Sequence, residues 1–276
     1  MVEIINNQSS DTRIHMRYSH VKNYPACPKM YKLSTEHSPE PSDSAKRAMA
    51  RGNLFEFFMF GESSDPRDIN EIIKKKKGAF DGMQKKTVDG LKEMAKEAQK
   101  HIVELHYTQL HIQYDKDPRY VFHSHLDFIG VVQFNNMNSG NPFVAIVDTK
   151  WTASIEQVWN NKSTKEDFLQ AIIYIWQVYE NTGKLLPFVY LIAQRYHDEV
   201  FIKPIKIEAT LEDFNWFKTT YIEAILNDHV FVAKPSSYNC LGVKGTKGKC
   251  RYLQFCDAGK KMVQTPEQFN YGDLNI

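Results

Sequence analysis

Three observations in the amino-acid sequence predict a mixed α/β or α+β domain. Segments of helical and strand period follow one another as helix, strand, strand, helix, strand, strand, helix. One near-continuous apolar run, Phe143 to Val147, has the composition of a central strand covered on both faces. Caps and turn residues stand where the period changes.

In chain order, Ser19 to Leu33 carries helix-compatible spacing (Val21, Tyr24, Met30, Tyr31) broken by Pro25 and Pro28. Two short helical turns about a bend follow from this. A Ser/Pro/Glu loop, Ser34 to Asp43, leads into a helix from Ser44 to Gly61, rich in Ala, Met and Phe and ended by glycine. Its second half, Leu54 to Phe60, is apolar nearly all round except for Glu56, a carboxylate that needs a partner there. Residues 65–106 are charged and helix-prone and read as a helical insertion or lid. The run Lys74 to Lys77 suits a solvated face, and Leu91, Met94, Ala95, Ala98 and Ile102 share one side of a segment starting at Met83. After Tyr107 the period is that of strands. Arg119 to Phe134 alternates, and the turn-forming Asn135 to Asn141 joins it to Pro142 to Lys150 as a hairpin. Ser163-Thr164-Lys165-Glu166 is a capping box that opens a helix to about Gly183. Leu186 to Gln194 is an apolar strand, and Glu199 to Ile207, with Pro204 inside, an edge strand. Thr210-Leu211-Glu212-Asp213 caps a last long helix with Leu211, Phe214, Phe217, Tyr221 and Ile225 at helical spacing.

The 276 residues suit one large domain or a core with an appendage. Lys and Arg (35) nearly balance Asp and Glu (33), which removes bulk charge as an argument about nucleic acid. The longest apolar run, Leu185 to Ala193, falls short of the ~18 residues of a membrane helix. The segment Met1 to Asn7 has neither a basic flank nor a long apolar stretch, so no secretory signal and a cytoplasmic location are expected.

The chemistry concentrates on the predicted hairpin. Residues two apart on a strand share a face, so Asp148 and Lys150 point together at the end of a buried strand. Asp127 lies amid apolar residues of the preceding strand, and hairpin pairing brings it toward Asp148. Two close carboxylates repel unless a divalent cation joins them; Glu56 offers a third. Gln170, Tyr174 and Gln177 line a polar helix face at i, i+4 and i+7. Four cysteines are too sparse for a disulfide scaffold. Cys27 stands near the start while Cys240, Cys250 and Cys256 cluster near the end, so if they meet they staple the two ends together. Four thiolates suit zinc or an iron-sulfur cluster; four unrelated thiols are the alternative. The neighbouring Lys244, Lys247, Lys249, Arg251, Lys260 and Lys261 would lower thiol pKa and could face phosphates.

Five short segments occur in order: Ser19 to Tyr31 containing Cys27-Pro28, Gly52 with Glu56, Asp127 before Gly130, Asp148-Thr149-Lys150, and Gln170 with Tyr174. Together they resemble the PD-(D/E)XK nuclease superfamily in its RecB-like branch. The resemblance implies a mixed α/β, restriction-endonuclease-like core, with a central mixed β-sheet flanked by helices. It also implies a single nuclease domain over residues 1–276, a helical insertion at 65–106, and a segment 236–260 packing on the Cys27 region. Glu56, Asp127, Asp148 and the Thr149 carbonyl would hold Mg²⁺ or Mn²⁺, Lys150 would position the attacking water, and Gln170 and Tyr174 would hold the substrate phosphate. The implied substrate is single- or double-stranded DNA, processed in recombination, repair or mobile-element movement with partner proteins of those pathways. Iron-sulfur members, including AddB-type and CRISPR-associated exonucleases, imply that Cys27, Cys240, Cys250 and Cys256 hold a 4Fe-4S cluster, with zinc as the alternative.

Three positions depart from that pattern. Glu56 stands where many relatives have histidine, Trp151 follows the lysine, and nine residues separate Cys240 from Cys250 where two are expected.

Other readings compete. His123, His125 and Asp127 alternate onto one face and, with His197, have the spacing of a two-His-one-carboxylate iron oxygenase; this leaves Asp148, Lys150, Gln170 and Tyr174 unexplained. A non-catalytic nucleic-acid-binding module on a nuclease fold is opposed only by the retained acids and lysine. A phosphate loop at Gly242 to Lys249 fails, because Cys250 stands where a Ser or Thr is needed and the glycine spacing is one too long.

Overall fold

In a computed structural model of the chain, residues 12–61, 85–197, 199–234, 240 and 250–258 are described. Residues 65–84 of the predicted insertion, the Lys74 to Lys77 run, the segment 241–249, and Lys260 and Lys261 lie outside them.

A six-stranded mixed sheet forms the centre. Its strands are β1 (Ile14–Arg17), β2 (Ile102–Tyr114), β3 (Tyr120–Val132), β4 (Phe143–Thr152), β5 (Phe188–Tyr196) and β6 (Glu199–Ile207). The predicted hairpin is present, with β3 antiparallel to β4 from Phe128↔Val147 to Val132↔Phe143. β4 and β5 run parallel, Asp148 opposite Tyr190, and β6 is the antiparallel edge with Pro204 opposite Leu191. β2 follows one side of β3 from Phe122 to Val132. On the opposite side β1 pairs in parallel over Tyr120 to His123, and β4 takes over at Phe128. Between them, Ser124 to Asp127 have no strand neighbour on that side among the described residues, and Ser124 Oγ is buried without a hydrogen-bond partner.

Helices cover both faces, as the continuous apolar run of β4 requires. The helices are α1 (Tyr18–Val21), α2 (Pro28–Glu36), α3 (Asp43–Phe60), α4 (Lys85–Gln99), α5 (Ile155–Trp159), α6 (Leu169–Thr182), α7 (Leu211–Phe217) and α8 (Ala224–Asn227). Ile146, Phe188, Tyr190 and Ile192 pack with Trp176 of α6 and Phe217 of α7 on one face. Ala145, Val147, Val189 and Leu191 pack with Leu54 and Phe55 of α3 and Leu91 and Met94 of α4 on the other. α3 begins at the Ser42 cap, whose Oγ accepts from the Ala45 N–H (3.3 Å), and ends at Gly61 in the left-handed region (φ +73°).

Four local expectations are corrected. Ile102 opens β2 instead of extending the helix, because α4 ends at Gln99. The capping box before α6 is Thr164 with Asp167, one residue later than Ser163 with Glu166: Asp167 Oδ2 accepts from the Thr164 N–H (3.0 Å) and Thr164 Oγ1 accepts from the Asp167 N–H (3.2 Å). The last helix is interrupted by a π-helical turn, Lys218–Glu223, between α7 and α8. Gln177 does not share a polar face with Gln170; it is fully buried and donates to the Phe122 carbonyl (2.9 Å), tying α6 to β3. β1, which no sequence signal announces, buries Met16 completely.

At Gly130, β2 crosses so close that a Cβ would lie 2.3 Å from the Glu104 carbonyl oxygen. Gly130→Ala therefore has to push two backbones apart and is expected to destabilise the domain by about 1–3 kcal/mol, read as a lower urea midpoint with unchanged slope. An unchanged midpoint would mean that β2 does not lie this close.

Candidate active site

The site grows where β1 and β4 part along β3. Period-two geometry places Asp148 and Lys150 on the α6 side of β4, while Thr149 between them turns its N–H and hydroxyl to Asp127 of β3. Asp148 is 2% exposed. Its Oδ2 pairs with Lys150 Nζ at 2.5 Å, and its Oδ1 accepts from Gln170 Nε2 at 3.2 Å. Gln170 Nε2 also lies 3.1 Å from the Tyr174 hydroxyl, one helical turn on, so the i, i+4 pair forms a single hydrogen-bonded unit with the acid. Thr149 donates to Asp127 Oδ2 twice, from its N–H (2.6 Å) and its hydroxyl (2.9 Å). Asp127 is thereby locked beside Asp148 without a strand ladder between them. Glu56 enters from α3 and accepts from Gln109 Nε2 at 3.0 Å.

The electrostatics follow from this crowding. Burial pushes the Asp148 carboxyl up to about 7; the adjacent Lys150 opposes the shift, and the Asp127 and Glu56 charges add to it. The Lys150 ammonium is held above its ordinary value by Asp148 and Asp127, against the opposing effect of burial. Burial likewise raises the Tyr174 hydroxyl, with Asp148 adding to the shift.

Hydrogen bonds and an ion pair join Asp148 to Lys150, Gln170 and Tyr174 and Asp127 to Thr149, and the Glu56 charge acts on Asp148 from α3. Among the described residues, however, no group of three His, Cys, Asp or Glu side chains is drawn together closely enough to hold a metal ion as it stands. Lys150, Thr149 and Gln109 partner the three acids instead.

Several members went unpredicted. Gln109 reaches Glu56 from a backbone at φ +48°, a kink in β2 that no glycine announces. Tyr18, directly after β1, has its hydroxyl raised by burial, with Lys150 opposing and Asp148 reinforcing the shift. Lys22 lies over the Tyr18 ring (5.2 Å), its ammonium lowered by burial and then by Arg251 and Lys150. Trp151 packs on the α3/α4 side beneath the Arg51 guanidinium, 5.6 Å from its ring.

The cysteines gather elsewhere. Cys27, Cys240, Cys250 and Cys256 line one cavity with Met30, Leu33, Ala233 and Leu253. The Cys250 N–H donates to the Cys240 carbonyl (2.9 Å), and Cys27 Sγ accepts from the Lys234 N–H (3.4 Å). Burial raises the Cys250 thiol, and Cys240, Cys27 and Cys256 add to the shift. His37 stacks on Phe255 at 3.9 Å beside this cavity, joining the end of α2 to the C-terminal segment. The iron-oxygenase set is not assembled: His197 lines a cleft with Arg51, Trp151 and Arg195, whereas His123 and His125 sit in a row of stacked imidazoles.

No protein-family model matches the chain, and no curated protein matches it in sequence. Among solved structures, a protein from Eubacterium rectale described as a candidate exonuclease superposes with TM-score 0.54 at 17% identity, over 95% of this chain and 93% of that one. The two share a fold. SSO0001 aligns over 91% of this chain and 88% of its own at TM-score 0.39 and 13% identity. Among the described residues no helix is long and apolar enough to cross a membrane.

Proposed function

We propose that the chain is a metal-dependent nuclease that hydrolyses phosphodiester bonds in DNA, in the manner of the RecB-like PD-(D/E)XK enzymes. The observation that carries this reading is the junction of Asp127, Asp148, Lys150, Gln170 and Tyr174 at the point where β1 and β4 part. The shared fold with a protein described as a candidate exonuclease supports it.

The donor set fits a hard divalent cation. Glu56, Asp127 and Asp148 offer carboxylate oxygens, the ligands that Mg²⁺ and Mn²⁺ prefer. Their mutual repulsion, felt in the raised Asp148 carboxyl, is relieved by positive charge. Lewis acidity and an acidified water are what such an ion supplies when held there, by these acids with the Thr149 carbonyl. Lys150 holds the attacking water or meets the charge developing on phosphorus. Gln170, already bonded to Asp148 and Tyr174, fixes the acid's rotamer and offers donors to a substrate phosphate. Thr149 keeps Asp127 aimed.

The cysteine cavity is lined by four thiols, the ligand number that a 4Fe-4S cluster takes, with zinc as the alternative. A role in recombination, repair or mobile-element processing, with the partner proteins of those pathways, belongs to the same proposal.

The test is cleavage of end-labelled single- and double-stranded DNA by anaerobically purified protein, with Mg²⁺, with Mn²⁺ and with EDTA. Metal-dependent cleavage is expected. DNA binding without cleavage in any metal would move the chain to the non-catalytic reading. At limiting Mg²⁺ the rate should also depend on pH. The folded Asp148 keeps its proton up to about pH 7, and a protonated carboxyl is a poor ligand, so the rate should climb about tenfold per unit below that pH and level above it. A rate that falls from pH 5.5 to 7.5 would contradict Asp148 as a ligand.

A further inference from the structure

Four histidines from three strands form one continuous stack on an exposed part of the sheet. His15 of β1 lies against His123 of β3, with centroids 5.2 Å apart, planes 10° apart, and Nδ1 to Nε2 at 2.9 Å. His123 continues to His111 of β2 at 5.6 Å and 6°, and His111 to His125 at 4.9 Å and 32°. The register explains the row: His111 is the direct partner of His125, and Arg17 of β1 stands opposite His123. His15, His111 and His125 are exposed and His123 is half-buried, so core packing does not account for four rings in file.

A shared metal ion does not account for them either. His15 and His123 already meet nitrogen to nitrogen, edge to edge in nearly one plane, and no three of the rings converge as metal ligands among the described residues. What stacked, exposed, flat rings do accommodate is another flat ring. The row also leads somewhere. Two residues beyond His125 is Asp127, two before His111 is Gln109, which holds Glu56, and one beyond Arg17 is Tyr18 beside Lys150. From His123 to Asp127 the strand advances about 13 Å. Arg13 adds positive charge at the end away from the acids, and Arg17 adds it beside His123.

We infer that this imidazole row, with Arg17, is a docking track for single-stranded nucleic acid, whose unpaired bases stack on His111 and His125 as the strand enters the acid site. The inference rests on the nuclease reading. Charge complementarity and continuity with the catalytic acids select the occupant: bases for the rings, phosphates for the guanidinium, and a path that ends at Asp127. A duplex, whose bases are already stacked, gains little from the rings.

Fluorescence anisotropy of a labelled 20-nucleotide DNA single strand, and of its duplex, in EDTA tests this apart from catalysis. The His111→Ala/His125→Ala protein is expected to bind the single strand about tenfold more weakly and the duplex less than about threefold more weakly, from the usual worth of base–ring stacking. The His111→Phe/His125→Phe protein, which keeps flat rings, should return to within about threefold of the wild type. Both positions are exposed, and matching melting curves would check that the variants fold. Wild-type single-strand affinity in the alanine protein, with the wild type still cleaving DNA, would overturn the track and leave the nuclease reading standing. Equal losses on single strand and duplex would overturn the single-strand assignment. A wild type that neither binds nor cleaves would remove the nuclease reading and the track with it.

Discussion

Lys150→Ala is expected to lower DNA cleavage by roughly 10²–10³-fold or more while leaving the domain folded, since one preorganised charge at a transition state carries about that much. The structure adds a second cost. Lys150 is the cation 2.5 Å from a carboxylate that is 2% exposed, and without it nothing as close offsets the Asp127 and Glu56 charges acting on Asp148. That acid already titrates near 7, and the variant should push it higher. Because its folded value lies above the unfolded one, the proton is favoured in the native state, and raising the pH removes that stability. The melting temperature of Lys150→Ala should therefore fall below wild type by more at pH 8 than at pH 6. The measurements are initial cleavage rates with saturating Mn²⁺ and melting curves at both pH values. Retention of more than a tenth of wild-type activity would remove Lys150 from the chemistry.

The second large effect concerns the cysteines. Cys27→Ser is expected to abolish bound iron and to lower the melting temperature by roughly 10 °C or more. Cys27 is the N-cap residue of α2 and its three companions lie near the other end of the chain, so a cluster held by all four closes a loop of most of the domain. A cross-link over such a loop is worth about 5 kcal/mol in chain-entropy terms, and metal affinity of this kind is folding free energy. Metal analysis and melting of anaerobically prepared wild type and variant decide the matter. Wild type carrying neither iron nor zinc, with the variant melting at the same temperature, would reduce the four residues to ordinary thiols.

The residues most legible in the sequence are those whose relation is local. Asp148 and Lys150 share a face because strands alternate, and Gln170 and Tyr174 meet because helical residues four apart are neighbours. The hairpin brought Asp127 within reach for the same reason, two apolar strands being joined by turn residues. Glu56 stood out because a charge in an apolar helix face demands an account. Gln109, Tyr18 and Lys22 gave no such signal. Their places depend on β1 and β2 choosing opposite sides of β3, and β1 pairs there with residues over a hundred positions on in the chain; Gln109 also depends on a positive φ at a residue that seldom adopts one. Thr149 was legible as a neighbour of the acids, but its two hydrogen bonds to Asp127 exist only because the pairing of β4 with β3 ends two residues earlier, at Val147. The capping box of α6 slipped by one because Thr164 and Asp167 cap as well as Ser163 and Glu166 would, and only the loop geometry chooses between them.

β3 changes neighbours in mid-course, and the four residues at the handover, Ser124 to Asp127, forgo a ladder on one side. A sheet optimised for cohesion would close that gap by running β4 further along β3. Such closure would satisfy idle backbone groups, but Thr149 would then give its N–H to a strand carbonyl and Asp127 would lose its tether. Stability and reactivity thus draw on the same few hydrogen bonds and pull in opposite directions. Selection for a tougher version of this domain should therefore strengthen the helical layers, the β5–β6 hairpin and the outer ends of β3 first. The break in the middle of β3 should be the last place to yield an improvement that leaves activity intact.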